Sequence, residues 1–149
     1  FKVGDLIKKY KLNIQSIYTD IYMRPMSEIR LMGYIASNLK VTKNKFAYII
    51  LENDIVASFN ADASSASNMV NDFSNIEEFV VWLFVTYDAK NDVYKVNIRS
   101  RGPVINKLAT KYNGGGHIYS SGARVKTKEE LNNLIVDYDD LCKDYLKNN

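Results

Sequence analysis

The chain has very few of the side chains that build metal centres and covalent cross-links. Its 149 residues include one histidine, His117, and one cysteine, Cys142. A single cysteine excludes an internal disulfide framework, and one histidine with one cysteine excludes a conventional His/Cys zinc site within this chain. The missing disulfides favour an intracellular protein. Cys142 lies on the apolar stripe of a predicted helix, which indicates a packing role.

Long apolar runs and a strong charge are also missing. No segment is apolar over a membrane-spanning length, and the N-terminus lacks the pattern of a signal peptide. We therefore expect a cytoplasmic protein with no membrane partner. The net charge of +3 is too small to indicate a nucleic-acid binder by itself, although it is compatible with one. The chain begins at Phe1 and not at methionine, which favours a piece of a longer protein.

The residues that are present are typical of a globular domain, with 46% hydrophobic and 25% charged side chains. Apolar residues recur at helical spacing over 3–10 and 14–21, and again after Pro25, where Ser27 is the expected cap of a third helix. The sequence therefore predicts a helical connector over residues 1–42 and one domain over residues 43–149.

From Phe46 onward the apolar period becomes that of strands. The predicted strands are 46–51 and 55–59, joined as a hairpin near Asn53-Asp54, a buried central strand 79–85, an alternating strand 93–99 and an edge strand 123–125. The predicted helices are a short one over 62–72, one from Pro103 to Asn113-Gly114, and a long one after the capping box at Thr127. This pattern predicts an α/β fold with a mixed sheet of about five strands and helices packed on it.

A run of three glycines, Gly114 to Gly116, stands directly before His117. A helix C-cap accounts for one glycine and not for three. Bare backbone amides next to an imidazole, with Arg99 at the end of a strand, are typical of a phosphate-binding site. An ordinary turn that serves only the fold is the alternative, and these residues alone leave both open.

Several motifs occur in an order that resembles a known family. Arg99-Ser100, a short helix, Gly114-Gly-Gly-His117 and Ser121-Gly-Ala123 resemble the C-terminal DHH-associated domain of the DHH-family phosphoesterases. The similarity covers roughly residues 45–147. It is greatest to the branch that degrades very short oligoribonucleotides and dephosphorylates 3′-phosphoadenosine 5′-phosphate.

The resemblance implies a division of labour between two domains. In that family an N-terminal domain with an Asp-His-His motif holds the metal ions, manganese or magnesium, and performs the hydrolysis. This chain has no such motif, and two-metal hydrolysis needs several carboxylates and histidines. We therefore expect no cofactor in this chain, no catalytic residue within it and no activity from it alone. The expected partners are its own N-terminal DHH domain and one substrate among short RNA, short DNA, a cyclic dinucleotide and a phosphorylated nucleotide. A second copy of the chain, in a homodimer, is a further candidate partner.

The resemblance also assigns roles to individual residues. Arg99 looks like the arginine that grips a substrate phosphate, with Ser100 assisting it. Gly114, Gly115 and Gly116 would present amides to a phosphate, and His117 would reach toward the scissile phosphate. Weaker candidates are Asn71, Asn106 and the base-stacking Tyr119, whereas Arg101 is expected to be solvated and Trp82 to be core. Many relatives carry a fourth glycine where this chain has Asn113, which tolerates the same backbone conformation.

Two other functions are compatible with the same residues. The first is a module for subunit or domain contact, in which the glycines serve only the fold. The second is a tRNA-synthetase-like nucleic-acid-binding domain, which would need a more basic face than +3 indicates.

Overall fold

Two helices within residues 13–149 precede the sheet in the computed structural model, which describes residues 4–5, 8 and 13–149. Helix α1 spans Ile14–Tyr22 and α2 spans Met26–Asn38, which confirms the second and third predicted helices. The residues that predict a helix over 3–10 lie outside the described residues. The expected cap at Ser27 is wrong, because Pro25 stands at the N-cap in an extended conformation and the helix begins at Met26.

Within the described residues, six strands form one mixed sheet, which confirms the α/β fold and exceeds the expected five strands by one. The strands are β1 (Lys40–Val41), β2 (Phe46–Leu51), β3 (Val81–Asp88), β4 (Val93–Ser100), β5 (Gly115–His117) and β6 (Ser120–Val125). Their order across the sheet is β1-β2-β3-β4-β6-β5. Strands β2 and β3 are parallel, and every other neighbouring pair is antiparallel.

The predicted hairpin after β2 is wrong. Residues that looked like its second strand form α3 (Asn53–Ser58), followed by α4 (Ala63–Asn68) and a 3-10 helix (Met69–Phe73). A short apolar run does not distinguish a strand from a buried helical turn. The parallel pairing of β2 with β3 requires a long crossover connection, and these helices provide it.

The segment around the glycines also differs from the prediction. Helix α5 spans Asn106–Thr110, so Pro103 lies before the helix and not in its first turn; its carbonyl accepts a hydrogen bond from the Ser100 hydroxyl at 2.6 Å. The segment 123–125 is the second half of β6, which begins at Ser120; residues 120–122 lie between β4 and β5, whereas residues 123–125 pair with β4 alone. Two of the three glycines, Gly115 and Gly116, belong to β5, which is the outermost strand on this side of the sheet.

Side chains alternate along each strand, so each face of the sheet has its own set. The face that carries Leu83, called the Leu83 face, is covered by α5 and by α6 (Lys128–Asn148), which begins at the predicted Thr127 cap. The opposite face, called the Arg99 face, is covered over β2 and β3 by α2, α4 and the 3-10 helix. Trp82 is buried in this second core, as expected, and its indole N–H donates to the Val70 carbonyl at 2.7 Å.

The longest helix of the described part, α6, has 21 residues. Among residues 4–5, 8 and 13–149, no helix is both long and apolar enough to cross a bilayer.

Candidate functional site

A row of polar residues crosses three strands on the Arg99 face. Arg99 of β4 is paired with Ser120 of β6, and Ser120 is paired with His117 of β5. Paired residues on neighbouring strands share a face, and two strand spacings separate Arg99 from His117 by about 10 Å between Cα atoms. The sheet therefore brings the predicted arginine and histidine together on one surface.

The Arg99 guanidinium is held at this surface by two defined hydrogen bonds. Its Nε donates to Asn71 Oδ1 at 2.9 Å, and one terminal nitrogen donates to the Ile98 carbonyl at 2.9 Å. An arginine has five N–H groups, so most of them have no partner among the described residues. Partial burial lowers the pKa of the Arg99 guanidinium from its ordinary value, which still leaves it charged. A fixed, incompletely hydrated cation is suited to binding an anion.

The neighbouring Arg101 has a structural role instead. Its guanidinium donates to three backbone carbonyls, those of Ser74, Ile76 and Phe79, and lies 5.5 Å from the centre of the Trp82 ring. The side chain is exposed, as expected, although its guanidinium also binds the backbone that follows the 3-10 helix. Alternation along β4 could not reveal this, because the residue lies just beyond the end of the strand.

Close packing accounts for two of the three glycines. A Cβ on Gly114 would lie 1.9 Å from the Gly122 carbonyl oxygen, and one on Gly116 would lie 2.7 Å from the Ser120 carbonyl oxygen. Gly116 also has φ of 138°, which side chains other than glycine rarely tolerate. A Cβ on Gly115 would meet nothing within 4 Å. The fold thus requires Gly114 and Gly116, whereas Gly115 leaves open space above the sheet.

The remaining predicted residues are placed apart from this row. Ser100 is buried on the Leu83 face, and its hydroxyl bonds within the loop to Pro103 and Gly102. Asn106 donates to the Gly116 carbonyl at 3.3 Å and keeps a buried side-chain oxygen without a partner among the described residues. Tyr119 is exposed in the turn that joins β5 to β6.

Part of this surface was not predicted from the sequence. Ser120 lies between Arg99 and His117, and the next row along the strands consists of Asn97, Gly122 and Gly115. The strand that carries Ser120 and Gly122 was predicted to begin only at residue 123, which removed both from the alternating pattern. Extending the strand back to Ser120 would have placed them beside Arg99.

The described residues do not fit a metal centre of the kind that the resemblance implies for the whole enzyme. No three acidic, histidine or cysteine side chains in the described part of the chain lie close enough to share an ion. The row of guanidinium, hydroxyl, imidazole and bare backbone is suited to holding an anion, and it offers no carboxylate ligand for a cation.

Comparison with known proteins gives the family. Residues 34–144 match the DHHA1 domain, so this chain belongs to the DHHA1 domain family. Among its relatives are bifunctional oligoribonucleases and PAP phosphatases. The Bacillus subtilis protein NrnA is 34% identical over 142 residues, which cover 95% of this chain and 44% of NrnA. Its Mycoplasma pneumoniae counterpart is 29% identical and covers 91% of this chain and 41% of the relative.

Solved structures show the same architecture. An exopolyphosphatase-related protein from Bacteroides fragilis superposes with a TM-score of 0.75 at 30% identity, over 95% of this chain and 43% of that one. A pGpG-specific phosphodiesterase from Vibrio cholerae superposes with a TM-score of 0.61, over 97% of this chain and 47% of that one; at 12% identity this likeness concerns the fold. The chain thus spans less than half the length of the relatives it matches.

Proposed function

We propose that this chain is the substrate-binding part of a metal-dependent DHH-family phosphoesterase that acts on short oligonucleotides or phosphorylated nucleotides. The observation that carries the proposal is the row of Arg99, Ser120 and His117 on an exposed face of the sheet, with the Arg99 guanidinium fixed by Asn71. The relatives that act on oligoribonucleotides and PAP support this substrate class. The cytoplasm remains the predicted location.

In this proposal the chain binds and orients the substrate and leaves hydrolysis to another domain. The Arg99 guanidinium forms charge-assisted hydrogen bonds to a phosphate, and His117 donates to the same or a neighbouring phosphate. Manganese or magnesium, held by the catalytic domain, would supply Lewis-acid activation of the scissile phosphate. No residue of this row transfers a proton in the proposal.

Exposed apolar side chains on α1 and at the start of α2 support a second part of the proposal. They include Ile14, Tyr18 and Tyr22 of α1, Met23 directly after it and Met26 of α2. We propose that they pack against the N-terminal DHH domain, because the relatives that this chain matches are more than twice as long as the matched segment. A second copy of this chain is the alternative occupant. The longer polypeptide is this chain together with the proposed N-terminal DHH domain. Analytical ultracentrifugation of its Tyr18→Ser, Met23→Ser variant distinguishes a domain contact from a dimer contact, because only loss of a dimer contact changes the sedimenting mass.

The test of function uses the longer polypeptide with manganese. We expect turnover of short RNA, short DNA, a cyclic dinucleotide or 3′-phosphoadenosine 5′-phosphate, and a reduction of kcat/KM by at least tenfold in Arg99→Ala and in His117→Ala. Lys143→Ala, an exposed cation on α6, is the control and should behave as wild type. Unchanged turnover of all four substrates in both variants would contradict the proposal and favour a purely structural glycine run.

A further inference from the structure

A basic hollow lies on the Arg99 face, farther along the same strands than the row of Arg99, Ser120 and His117. Its volume is about 220 Å³, and its polar lining comes from Lys95, Asn97, Asn113 and Arg124, with Gly114 and Gly122 leaving backbone exposed. Lys95 and Arg124 are paired across β4 and β6, so their side chains share one face of the sheet. The hollow therefore has two cations side by side over a floor of exposed backbone.

Neither cation forms an ion pair within the described part of the chain. The described residues that line the hollow include no carboxylate. The ion pairs found among the described residues join Arg24 to Glu28 and Asp72, and Lys111 to Asp137, and none includes Lys95 or Arg124.

A larger cleft adjoins the hollow but has a different character. It has a volume of about 630 Å³ and is also lined by Lys95, but it includes Asp62 and Asp88. The pKa of the Asp88 carboxyl is lowered chiefly by the side-chain hydrogen bond from Asn91, and the charge of Lys95 adds only a minor part. These carboxylates oppose the binding of an anion in the cleft, so the excess of positive charge is confined to the smaller hollow.

The hollow continues the candidate site along the sheet. Arg99 and Lys95 lie four residues apart on β4, which corresponds to about 13 Å along the strand. Between their rows lies the strip of Asn97, Gly122 and Gly115, where two facing glycines keep the surface low. An extended ligand can follow this strip from one cationic row to the other without meeting a bulky side chain.

We propose that Lys95 and Arg124 form a second anion subsite, which binds a phosphate of a short single-stranded oligonucleotide whose first phosphate lies at Arg99. The proposal rests on the proposed function and names the substrate class within it. A nucleoside bisphosphate carries both phosphates on one sugar, and a separation of about 13 Å is too long for it. The second subsite therefore favours oligonucleotides of several residues over 3′-phosphoadenosine 5′-phosphate.

The test is a double variant, Lys95→Gln with Arg124→Gln, in the longer polypeptide with manganese. We expect KM for a four-nucleotide RNA to rise about tenfold, with kcat unchanged and with KM for 3′-phosphoadenosine 5′-phosphate within twofold of wild type. The slope of log KM for the tetranucleotide against log salt should also decrease by roughly 0.7 for each phosphate that the variant no longer neutralises.

The matched control is Lys143→Gln with Lys147→Gln. It removes the same net charge from α6, which covers the Leu83 face, and should leave both KM values unchanged. An equal KM increase for both substrates, or the same increase in the control, would overturn the second subsite. The subsite alone also fails if Arg99→Ala raises both KM values while the double variant raises neither. If Arg99→Ala changes neither KM, the proposed function itself fails.

Discussion

The Arg99 face of the sheet has two halves that meet between β3 and β4. Helices cover the half over β2 and β3, whereas the half over β4, β6 and β5, called the open half, is not covered by them. Across this boundary Trp82 is paired with Arg99, Phe84 with Asn97 and Thr86 with Lys95. The β3 member of each pair is buried beneath the crossover helices, whereas the β4 member is only partly buried. The same backbone geometry thus supports a core on one side and a polar surface on the other, and the difference lies in which strands the helices cover.

The two halves illustrate how a small domain can present a flat binding surface. Helices α2 and α4 and the 3-10 helix contribute the second core over β2 and β3. Over β4, β6 and β5 the same face has serine, asparagine and glycine, which give little apolar area for a helix to cover. The edge of the 3-10 helix, at Asn71, is also the point that fixes Arg99.

The largest effect on stability is expected at the glycines beside the open half of the Arg99 face, where a side chain would meet the neighbouring backbone or rise above the sheet. Gly114→Val should reduce the free energy of unfolding by about 3 kcal/mol, because its side chain would occupy the position of the Gly122 carbonyl. Gly115→Val should cost less than about 1 kcal/mol, because its side chain enters open space, yet it should weaken substrate binding. Urea denaturation compares the two. Equal stability of both variants would contradict the packing difference between them.

The two arginines at the boundary provide the next comparison. Arg99→Ala should raise KM for the oligonucleotide about thirtyfold, since it removes charge-assisted hydrogen bonds, and should change stability by less than about 1 kcal/mol. Arg101→Ala should instead reduce stability by about 2 kcal/mol, because it removes three hydrogen bonds to backbone carbonyls and the contact of the guanidinium with the Trp82 ring. Steady-state kinetics and thermal unfolding of both variants check this reversal. A larger KM increase in Arg101→Ala, at matched folded fraction, would contradict the assignment.

A smaller effect is expected at Asn71. Asn71→Ala should raise KM about fivefold with little change in kcat, because it removes the acceptor for the Nε of Arg99. Asn71→Asp retains an acceptor oxygen and should restore part of the affinity. Binding measurements on Arg99→Ala with and without Asn71→Ala complete the test: the second change should have no further effect. Independent effects of the two changes would show that Asn71 does not act through Arg99.

The smallest effect is expected behind the sheet, where Asp137 joins α6 to the segment before β5. Hydrogen bonds from the Tyr112 hydroxyl, and then from Lys111, lower the pKa of the Asp137 carboxyl from its ordinary value near 3.8. A lowered pKa stabilises the fold above the ordinary value, and this stabilisation disappears as the pH falls through the lowered pKa. Asp137→Asn should cost less than about 1 kcal/mol at neutral pH, and the difference from wild type should shrink as the pH falls below the ordinary carboxyl pKa. Substrate KM should not change, and a cost that persists undiminished in more acidic solution would contradict the pKa assignment.

The sequence predicted the parts of this molecule that depend on local pattern. The buried strand around Trp82, the alternating strand ending near Arg99 and the capped helix after Thr127 all follow from periodicity or from a cap motif. The prediction of a hairpin after β2 is wrong because a short apolar run does not show whether its strand pairs in parallel. The edge position of the glycine run was missed because glycine carries no strand signal of its own.

The candidate site was predictable in its residue types but not in its arrangement. Arg99 and His117 were identified from the sequence, and the strand register places them in one row. The role of Arg101 depends on carbonyls that are more than twenty residues away in sequence, so no local pattern reveals it. Asn71 was a weaker candidate in the sequence, but its contact with Arg99, 28 residues away, depends on how the crossover connection folds.

The central claim is that the substrate binds on the open half of the Arg99 face. A crystal structure of the longer polypeptide with a phosphorothioate oligonucleotide tests this claim most directly, because it shows where the ligand lies. We predict a phosphate within hydrogen-bond distance of the Arg99 guanidinium and of His117, with the next part of the oligonucleotide lying over Gly115 and Gly122. An oligonucleotide bound in the substrate position, with every atom farther than about 4 Å from Arg99 and His117, would contradict the claim. A structure in which another protein domain fills the open half of the Arg99 face would also contradict the claim.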